Sequence, residues 1–483
     1  MNGADVILKT AIDNGIEICL ANAGTTEIPI VAALDRQPGI RTILGLFEGV
    51  CTGAADGYGR VLDRPAMTLL HLGPGFANGI ACLHDARRAE SPIVNIVGEH
   101  ASWHRDADPP LNMDIRSLAG TVSGWTRTCR SAKNLSRDVA QVIAASKAGQ
   151  IATLIVPNDY QYSTIAKEEI SKKDVQFPPI DEALIDKAAQ VLHSGKKCAL
   201  LLGGRALRKE GLTMAAKIRD VTGCDLLANT FPGYLEKGVS LPVIKRIPYF
   251  PEGALELMRG YDTVIRIGAH EPVTFFGYEG IPSSVIPKET RTISIGESRH
   301  DVISILRAIS GSLGSKKQGA TKAAKEPKKP SIPSGILTPE TVCATIAACQ
   351  PEGAIIVDEG ITTTFPYAFA SSSAAPHSLL TIAGGSIGYG LPCAVGASLA
   401  APLRPVINIQ ADGSAMYTIQ ALWTMARESL NVVTLICNNG GYQIIATELN
   451  RAGITEFGKN TRRLVDIDRP AIDWISLSKS LGV

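Results

Sequence analysis

Short continuous apolar runs recur along the chain, each closed by glycine, proline or a polar turn and separated from the next by a helix-length stretch. They read PAMTLLHL, SPIVNIVGE, QIATLIVP, KCALLLGG, DTVIRIG, GAIIVDEG, RPVINIQADG and NVVTLICNN. A strand with one wet face alternates polar and apolar residues, whereas these runs are apolar on both faces. Such strands are stable only in a parallel sheet covered by helices on both sides, with crossover helices joining successive strands. The fold class is therefore α/β with doubly wound sheets.

The chain has 483 residues, more than one core ordinarily organises, so about three domains are expected at roughly 100–200 residues each. Two breaks divide it. Charged and then Pro-rich sequence follows residue 165 (KEEISKKDVQFPPIDE), and SKKQGATKAAKEPKKPSIPS carries six lysines and one acid. The lysines are not interleaved with aromatic residues, so the second tract is read as a solvated linker and not as a nucleic-acid patch. The expected division is 1–165, a middle α/β domain at 183–313, a linker at 314–335, and a final domain at 336–483.

A net charge of +2 with 19% charged residues offers no whole-protein attraction to nucleic acid, and no apolar stretch approaches the ~18 residues of a membrane span. Ten cysteines are scattered without a CxxC pair and are expected as small core residues in a reducing compartment. Asp5, Lys9, Asp13 and Glu17 interrupt the N-terminal apolar pattern, so it reads as an amphipathic helix and not a signal peptide. Cytoplasmic location is expected, with organelle import left open.

The most specific signal lies in the last domain. RPVINIQ ends in Ala411-Asp412-Gly413-Ser414, a helix is expected over TIQALWTMARES, and NVVTLIC ends in Asn438-Asn439-Gly440-Gly441. Two turns at the carboxyl edge of a parallel sheet thus bring together a carboxylate, an amide oxygen and the Gly441 carbonyl, a hard oxygen set suited to Mg²⁺. The N–H groups of Gly413 and Ser414 are expected to face a phosphate. This arrangement resembles the GDG…NN motif of thiamine-diphosphate enzymes, with Ala411 where the family usually has Gly. The resemblance implies thiamine diphosphate held through Mg²⁺ by Asp412, Asn439 and Gly441. It extends to Gly384–Pro392, where Gly385 and Ile387 match the segment that props the bent cofactor, and more loosely to Gly360 and Thr362 as diphosphate contacts.

At the other end, Glu48 follows RTILGLF and opens a helix of small residues, GVCTGAADGYGR. The cofactor needs one carboxyl group beside its aminopyrimidine ring, in a dry site, to favour the tautomer that removes the thiazolium proton. Glu48 matches that catalytic position. Gly24 and Thr25 resemble the pyrimidine-side turn, and His71-Leu72-Gly73-Pro74-Gly75-Phe76-Ala77-Asn78 resembles the GPG-x-x-N segment, with Asn78 as a cofactor contact. His71 stands where benzoylformate decarboxylase carries a catalytic histidine and is assigned proton transfer. His100 and His104, in Gly98-Glu99-His100-Ala101-Ser102-Trp103-His104, read as part of a surface loop, with lining the entrance as the alternative.

Overall the chain resembles acetolactate synthase large-subunit-like proteins, although the Trp of the acceptor pocket is missing after Asn439. The implied reaction is decarboxylation of a small 2-oxo acid with carboligation to a second carbonyl compound as a possible sequel, or non-oxidative decarboxylation of the benzoylformate-decarboxylase kind. A homodimer or homotetramer is implied, with each site across a dimer interface. FAD is possible in the middle domain but no motif supports it. Two competing readings are a non-catalytic paralogue, suggested by Ala411 and by the end of the chain at Val483, and an NADP-binding oxidoreductase. The latter rests on Gly73-x-Gly75-x-x-x-Gly79 with Glu99 about 20 positions on.

Overall fold

The computed structural model describes residues 1–165, 171–175, 177–297, 300–314 and 330–483. The expected Lys/Pro-rich linker lies, over 315–329, outside the described residues. The chain forms two compact units. One contains Met1–Val175, Ala354–Phe365 and Ile382–Val483; the other contains Gln176–Gly353 and Pro366–Thr381.

The first unit holds the N-terminal and C-terminal sheets. The N-terminal sheet is built from β1 (Ile18–Asn22), β2 (Arg41–Leu44), β3 (Ala66–His71), β4 (Ile93–Glu99), β5 (Trp125–Thr128) and β6 (Ile151–Pro157). The strands are all parallel, in the order β2-β1-β3-β4-β6-β5. β4 and β6 are buried at every position, as their unbroken apolar runs require. The chain winds one way from β1 to β2 and the other way from β1 to β3 and β4. The turns leaving β1 and β3 therefore open a crevice at the carboxyl edge.

Unit two carries the middle sheet: β7 (Cys198–Leu202), β8 (Asp225–Ala228), β10 (Lys245–Arg246), β11 (Thr263–Ile267) and β12 (Arg291–Ile295), parallel in the order β10-β8-β7-β11-β12. A short antiparallel pair joins β9 (Leu235–Lys237) to β14 (His377–Thr381). Its two apolar clusters include Leu200, Leu202 and Ile305 in one, Leu201, Val264 and Met258 in the other. The C-terminal sheet of unit one contains β13 (Ile355–Glu359), β15 (Val406–Ala411) and β16 (Val432–Cys437), parallel with β15 in the centre. Three α/β parts thus follow one another along the chain as the apolar runs predict.

Within unit one the helix Glu48–Leu62 packs directly along the helix Gly390–Ala400. A methyl group on Gly57 would overlap the Cys393 carbonyl, and one on Gly396 would overlap the Ala54 carbonyl, so glycine is what lets the backbones touch. Arg60 is buried there and donates to Asp56 through Nε at 2.7 Å, while Tyr389 lies 4.9 Å from its guanidinium. Charges in such a place persist because they are paired. The helix Gly3–Asp13 is capped by Asn2, in agreement with the amphipathic reading. Of the ten cysteines, all unbridged, only Cys349 is exposed. Among the described residues no helix is long and apolar enough to cross a membrane.

Candidate active site

The carboxyl edge of the N-terminal sheet carries a compact polar cluster. β1 runs into Gly24 and a turn of 3-10 helix, Thr25–Glu27, and the Gly24 N–H donates to Glu27 Oε2 at 2.8 Å. Glu27 is fully buried. His71 ends β3, and its Nδ1 lies 2.9 Å from Glu27 Oε2 and 3.1 Å from Thr26 Oγ1. The Thr26 hydroxyl donates to the other carboxylate oxygen of Glu27. Nδ1 faces an oxygen of Glu27 and the Thr26 hydroxyl oxygen, both able to accept; the tautomer with the hydrogen on Nδ1 suits them and leaves Nε2 for other chemistry. The hydrogen bond to Glu27 raises the His71 pKa above the ordinary histidine value, against the opposing effect of burial. Gly24 is required here, because a Cβ would lie 2.5 Å from His71 Nδ1.

Glu48 begins its helix as the sequence predicts. Asn78 Nδ2 donates to Glu48 Oε2 at 3.0 Å, and Oε1 has no hydrogen-bond partner among the described residues. Gly75 stands between Glu48 and His71: a Cβ on it would be 3.1 Å from Glu48 Oε1 and 3.4 Å from His71 Cβ. The structure therefore brings Glu48, His71 and Asn78 together around a bare backbone, with Gly24 below. Glu48 is half-buried and Asn78 exposed, so in one chain the site is not the dry one expected for Glu48. Thr25 is exposed. His100 is half-buried with Nε2 unpartnered, and His104 is exposed, its ring 5.9 Å from that of His100.

The glycines that imitate a dinucleotide fingerprint lie inside the helix Leu72–Arg88. Gly75 faces Glu48 and Gly79 faces Thr52, where a Cβ would come 2.7 Å from Thr52 Cγ2. They serve helix packing, and this removes the basis for the NADP reading.

The second cluster lies at the carboxyl edge of the C-terminal sheet. Asp412 follows β15 and is 2% exposed. Its Oδ1 accepts from Gly413 N–H at 2.8 Å and its Oδ2 from Gly440 N–H at 2.7 Å, so this one carboxylate ties the two turns together. Asn439 is exposed, and its Oδ1 accepts from Gly441 N–H at 3.1 Å; the Gly441 carbonyl accepts from Gln443 N–H at 3.0 Å. Three details differ from expectation. Gly413 N–H is engaged by Asp412 instead of facing outward. The Gly441 carbonyl is not free. The helix expected over TIQALWTMARES is present but shorter, Ala421–Arg427, and a separate helical turn, Asp412–Ala415, precedes it. Ala411 is harmless: its φ of −78° is ordinary for any L-residue.

These residues fit a hard divalent cation such as Mg²⁺. Each oxygen donor accepts one N–H and keeps a lone pair. Among the described residues no group of three or more His, Cys, Asp or Glu gathers as a soft or highly charged site would need. A single carboxylate with neutral oxygens suits a hard cation whose remaining ligands come from phosphate and water.

Between the clusters in sequence, the Gly384–Gly390 segment is held by groups that sequence reasoning missed. Glu359 is fully buried and accepts from Gly388 N–H at 2.5 Å, Gly390 N–H at 2.6 Å and Gln410 Nε2 at 2.9 Å. Gln410 also donates to the Ser414 hydroxyl at 2.7 Å. Burial raises the Glu359 carboxyl to about 7 in spite of these donors. Gly385 adopts φ +73° and Ile387 is half-buried. Gly360 follows β13, its N–H 3.3 Å from Asp358 Oδ1, and Thr362 lies in the adjoining turn. Glu27 had a local signal, since an acid three residues after Gly24 has capping-box spacing. Glu359 had none.

Comparison with known proteins agrees with this geometry. The N-terminal TPP-binding domain of thiamine pyrophosphate enzymes matches residues 1–118, and the C-terminal TPP-binding domain matches residues 360–483. A Mycobacterium tuberculosis protein provisionally named as an acetolactate synthase large subunit, IlvX, is 43% identical over 100% of this chain and 93% of its own. Benzoylformate decarboxylase of Pseudomonas aeruginosa is 27% identical over 97% of this chain and 90% of its own. In fold, the chain is similar to a thiamine diphosphate-dependent 4-hydroxybenzoylformate decarboxylase of Rhodococcus jostii, with a TM-score of 0.85 at 24% identity, covering 100% of this chain and 93% of that one. With both binding domains matched and a relative of 43% identity along its whole length, the chain belongs to the thiamine pyrophosphate enzyme family.

Proposed function

We propose that the protein decarboxylates a small 2-oxo acid with thiamine diphosphate and Mg²⁺, and that it preferentially releases the product as an aldehyde. The observation that carries this reading is the placement of Glu48 and the Glu27-oriented His71 on either side of Gly75. When bound, thiamine diphosphate supplies a thiazolium electron sink for the pair left behind as CO₂ departs. Glu48 offers Oε1 as the atom that shares a proton with the aminopyrimidine, while Asn78 fixes Oε2. His71 delivers a proton from Nε2, because Glu27 and Thr26 hold Nδ1 and set the ring plane. Asp412, Asn439 and Gly441 hold the metal; Gly24, Thr25, Asn78, Gly360, Thr362, Gly385, Ile387, Gly413 and Ser414 line the cofactor. Ser414 contributes through its backbone, since its hydroxyl is taken by Gln410 and by the Ala411 carbonyl.

The partial exposure of Glu48 supports a site completed by a second copy of the chain. A carboxyl that must keep a proton out of water needs a cover that this chain alone does not give it. Carboligation is the second reading, favoured by the 43% identity to the acetolactate synthase-named relative.

Purified protein incubated with thiamine diphosphate, Mg²⁺ and a panel containing pyruvate and benzoylformate discriminates the readings by released CO₂ and by mass spectrometry of products. Aldehyde is expected. A 2-hydroxy ketone as the main product favours the second reading, and consumption of no 2-oxo acid refutes both.

A further inference from the structure

The segment Gly384-Gly385-Ser386-Ile387-Gly388 contains three glycines, and its backbone has more freedom to lose than any other part of the site. Something must hold Ile387 in place. Glu359 fixes the far end through the N–H groups of Gly388 and Gly390. The near end is fixed by a residue of the N-terminal part. Asp85 Oδ1 accepts from Gly384 N–H at 2.7 Å and from Ser386 N–H at 3.4 Å, and the neighbouring His84 Nε2 lies 3.2 Å from the Gly384 carbonyl. Asp85 is completely buried, and its Oδ2 has no partner. A packing position would not ordinarily keep a carboxyl group with one oxygen unsatisfied.

We propose that Asp85 is a positioning residue for the cofactor, holding Gly384–Ser386 so that Ile387 presents its side chain to thiamine diphosphate. The proposal rests on the functional reading above, which places Ile387 at the cofactor. Fit is close: a Cβ on Gly384 would come 2.7 Å from Asp85 Oδ1, so the two residues are matched to each other. Asp85 and Asn78, the residue bonded to Glu48, sit on the same helix Leu72–Arg88 seven residues apart. At 3.6 residues per turn that is about two turns, so both lie on one helix face, roughly 10 Å apart. A single rigid helix therefore sets the Glu48 carboxyl at one point and the Ile387 segment at another. If the working site forms between two copies, this helix touches both sites of the dimer.

Two measurements on the full chain test the proposal. Thiamine diphosphate is titrated at saturating Mg²⁺ into metal-stripped protein, reading the dissociation constant by tryptophan fluorescence, and hydrogen exchange of the 382–390 segment is followed without cofactor. Asp85→Leu keeps the bulk and removes the acceptor. It is expected to weaken binding ~10-fold or more, the order expected when a buried donor pair loses its partner, and to speed exchange at Gly384 and Ser386. Asp85→Asn keeps Oδ1 as an acceptor and is expected to stay within about threefold of wild type in both measurements. Gly384→Ala pushes the segment off the clamp from the other side and should imitate Asp85→Leu, which provides the test should the leucine variant fold poorly. Thr10→Val removes a buried hydroxyl pair with Ser136 elsewhere in the same unit and serves as a control for general destabilisation. Binding by Asp85→Leu or Gly384→Ala within threefold of wild type, or an equal loss in Thr10→Val, overturns the inference alone. Wild-type protein that takes up no thiamine diphosphate overturns the functional reading and this inference together.

Discussion

Glu359 is a buried carboxyl whose charge state should be visible in stability. Its pKa is raised from 4.5 to about 7, chiefly by burial, while the N–H donors of Gln410, Gly390 and Gly388 pull the other way. A carboxyl raised in the folded state binds its proton more tightly there than in the unfolded chain. Stability from this group is therefore fully present below pH 4.5 and is lost as pH rises to about 7. A tenfold change in proton affinity corresponds to about 1.4 kcal/mol, so the loss across that window is about 3 kcal/mol. Glu359→Gln removes the titration. It also turns one carboxamide NH₂ toward a backbone N–H, and so should cost about 1–3 kcal/mol at acid pH, where wild type is neutral as well. The stability difference should then shift by about 3 kcal/mol in the variant's favour between pH 4.5 and 8, vanishing or changing sign. Urea denaturation followed by tryptophan fluorescence at four pH values measures it. A gap that stays constant within about 0.5 kcal/mol would refute the reasoning. Asp85 senses the Glu359 charge, so the pair Asp85→Asn and Glu359→Gln should be measured as a double-mutant cycle.

Four other outcomes are expected. Glu48→Gln should lower 2-oxo acid turnover by about 10²–10⁴ while leaving thiamine diphosphate affinity within a few-fold; unchanged turnover would dismiss Glu48 as the proton-sharing group. Glu27→Gln removes the hydrogen-bonded charge that raises the His71 pKa, so the limb of the pH–rate profile on which His71 loses its proton should move to lower pH. The sign follows from the pair: its stabilisation is complete below the ordinary histidine pKa and is lost as pH rises through the raised one, and a profile that stays put would exclude His71 from proton transfer. Asp412→Asn sets an NH₂ group against Gly413 or Gly440 N–H and removes the one charged group of the proposed metal site, so Mg²⁺-dependent cofactor binding in a titration should fall at least ~10-fold. Gly57→Ala drives a methyl group into the Cys393 carbonyl and should cost about 1–3 kcal/mol in urea denaturation; a neutral result would mean the two helices are free to separate.

What was legible in the sequence was whatever has a local signature. Continuous apolar runs announce buried parallel strands; Asp412 follows one directly, Asn439 comes two residues after another, His71 ends a third, and Glu48 follows a short turn after β2. The placement of all four at carboxyl edges could be read from the strand ends alone. The groups that hold the site were not legible, since their partners are distant in sequence. Asp85 meets Gly384 across 299 positions, and Glu359 meets Gly388 across 29. Nothing within a window around either residue separates a surface acid from one that grips a loop. Ala411 shows the opposite error: departure from a consensus glycine suggested a distorted turn, yet at φ −78° glycine's freedom is not used. Gly24 and Gly57 are needed for lack of a side chain, and neither has a positive φ.

The carboxyl groups of the candidate site show how one functional group is given different work by its surroundings. Glu48 is half-buried and keeps Oε1 without a hydrogen-bond partner among the described residues, the atom left open for the proposed proton sharing. Asp412 is buried with an N–H on each oxygen, and those two bonds fix the plane of its carboxylate between the two turns. Glu27 is buried against an imidazole and lends it orientation. Asp85 and Glu359 are buried where desolvation dominates and their pKa values rise, so both can hold backbone amides without keeping a full charge in the core. A charged clamp at both ends of Gly384–Gly390 would set two anions against each other in the core, as the effect of the Glu359 charge on Asp85 shows. Clamps that neutralise readily avoid that repulsion, and this is a physical reason for the loop to be held by deeply buried acids while the exposed edge of the site is left to Glu48.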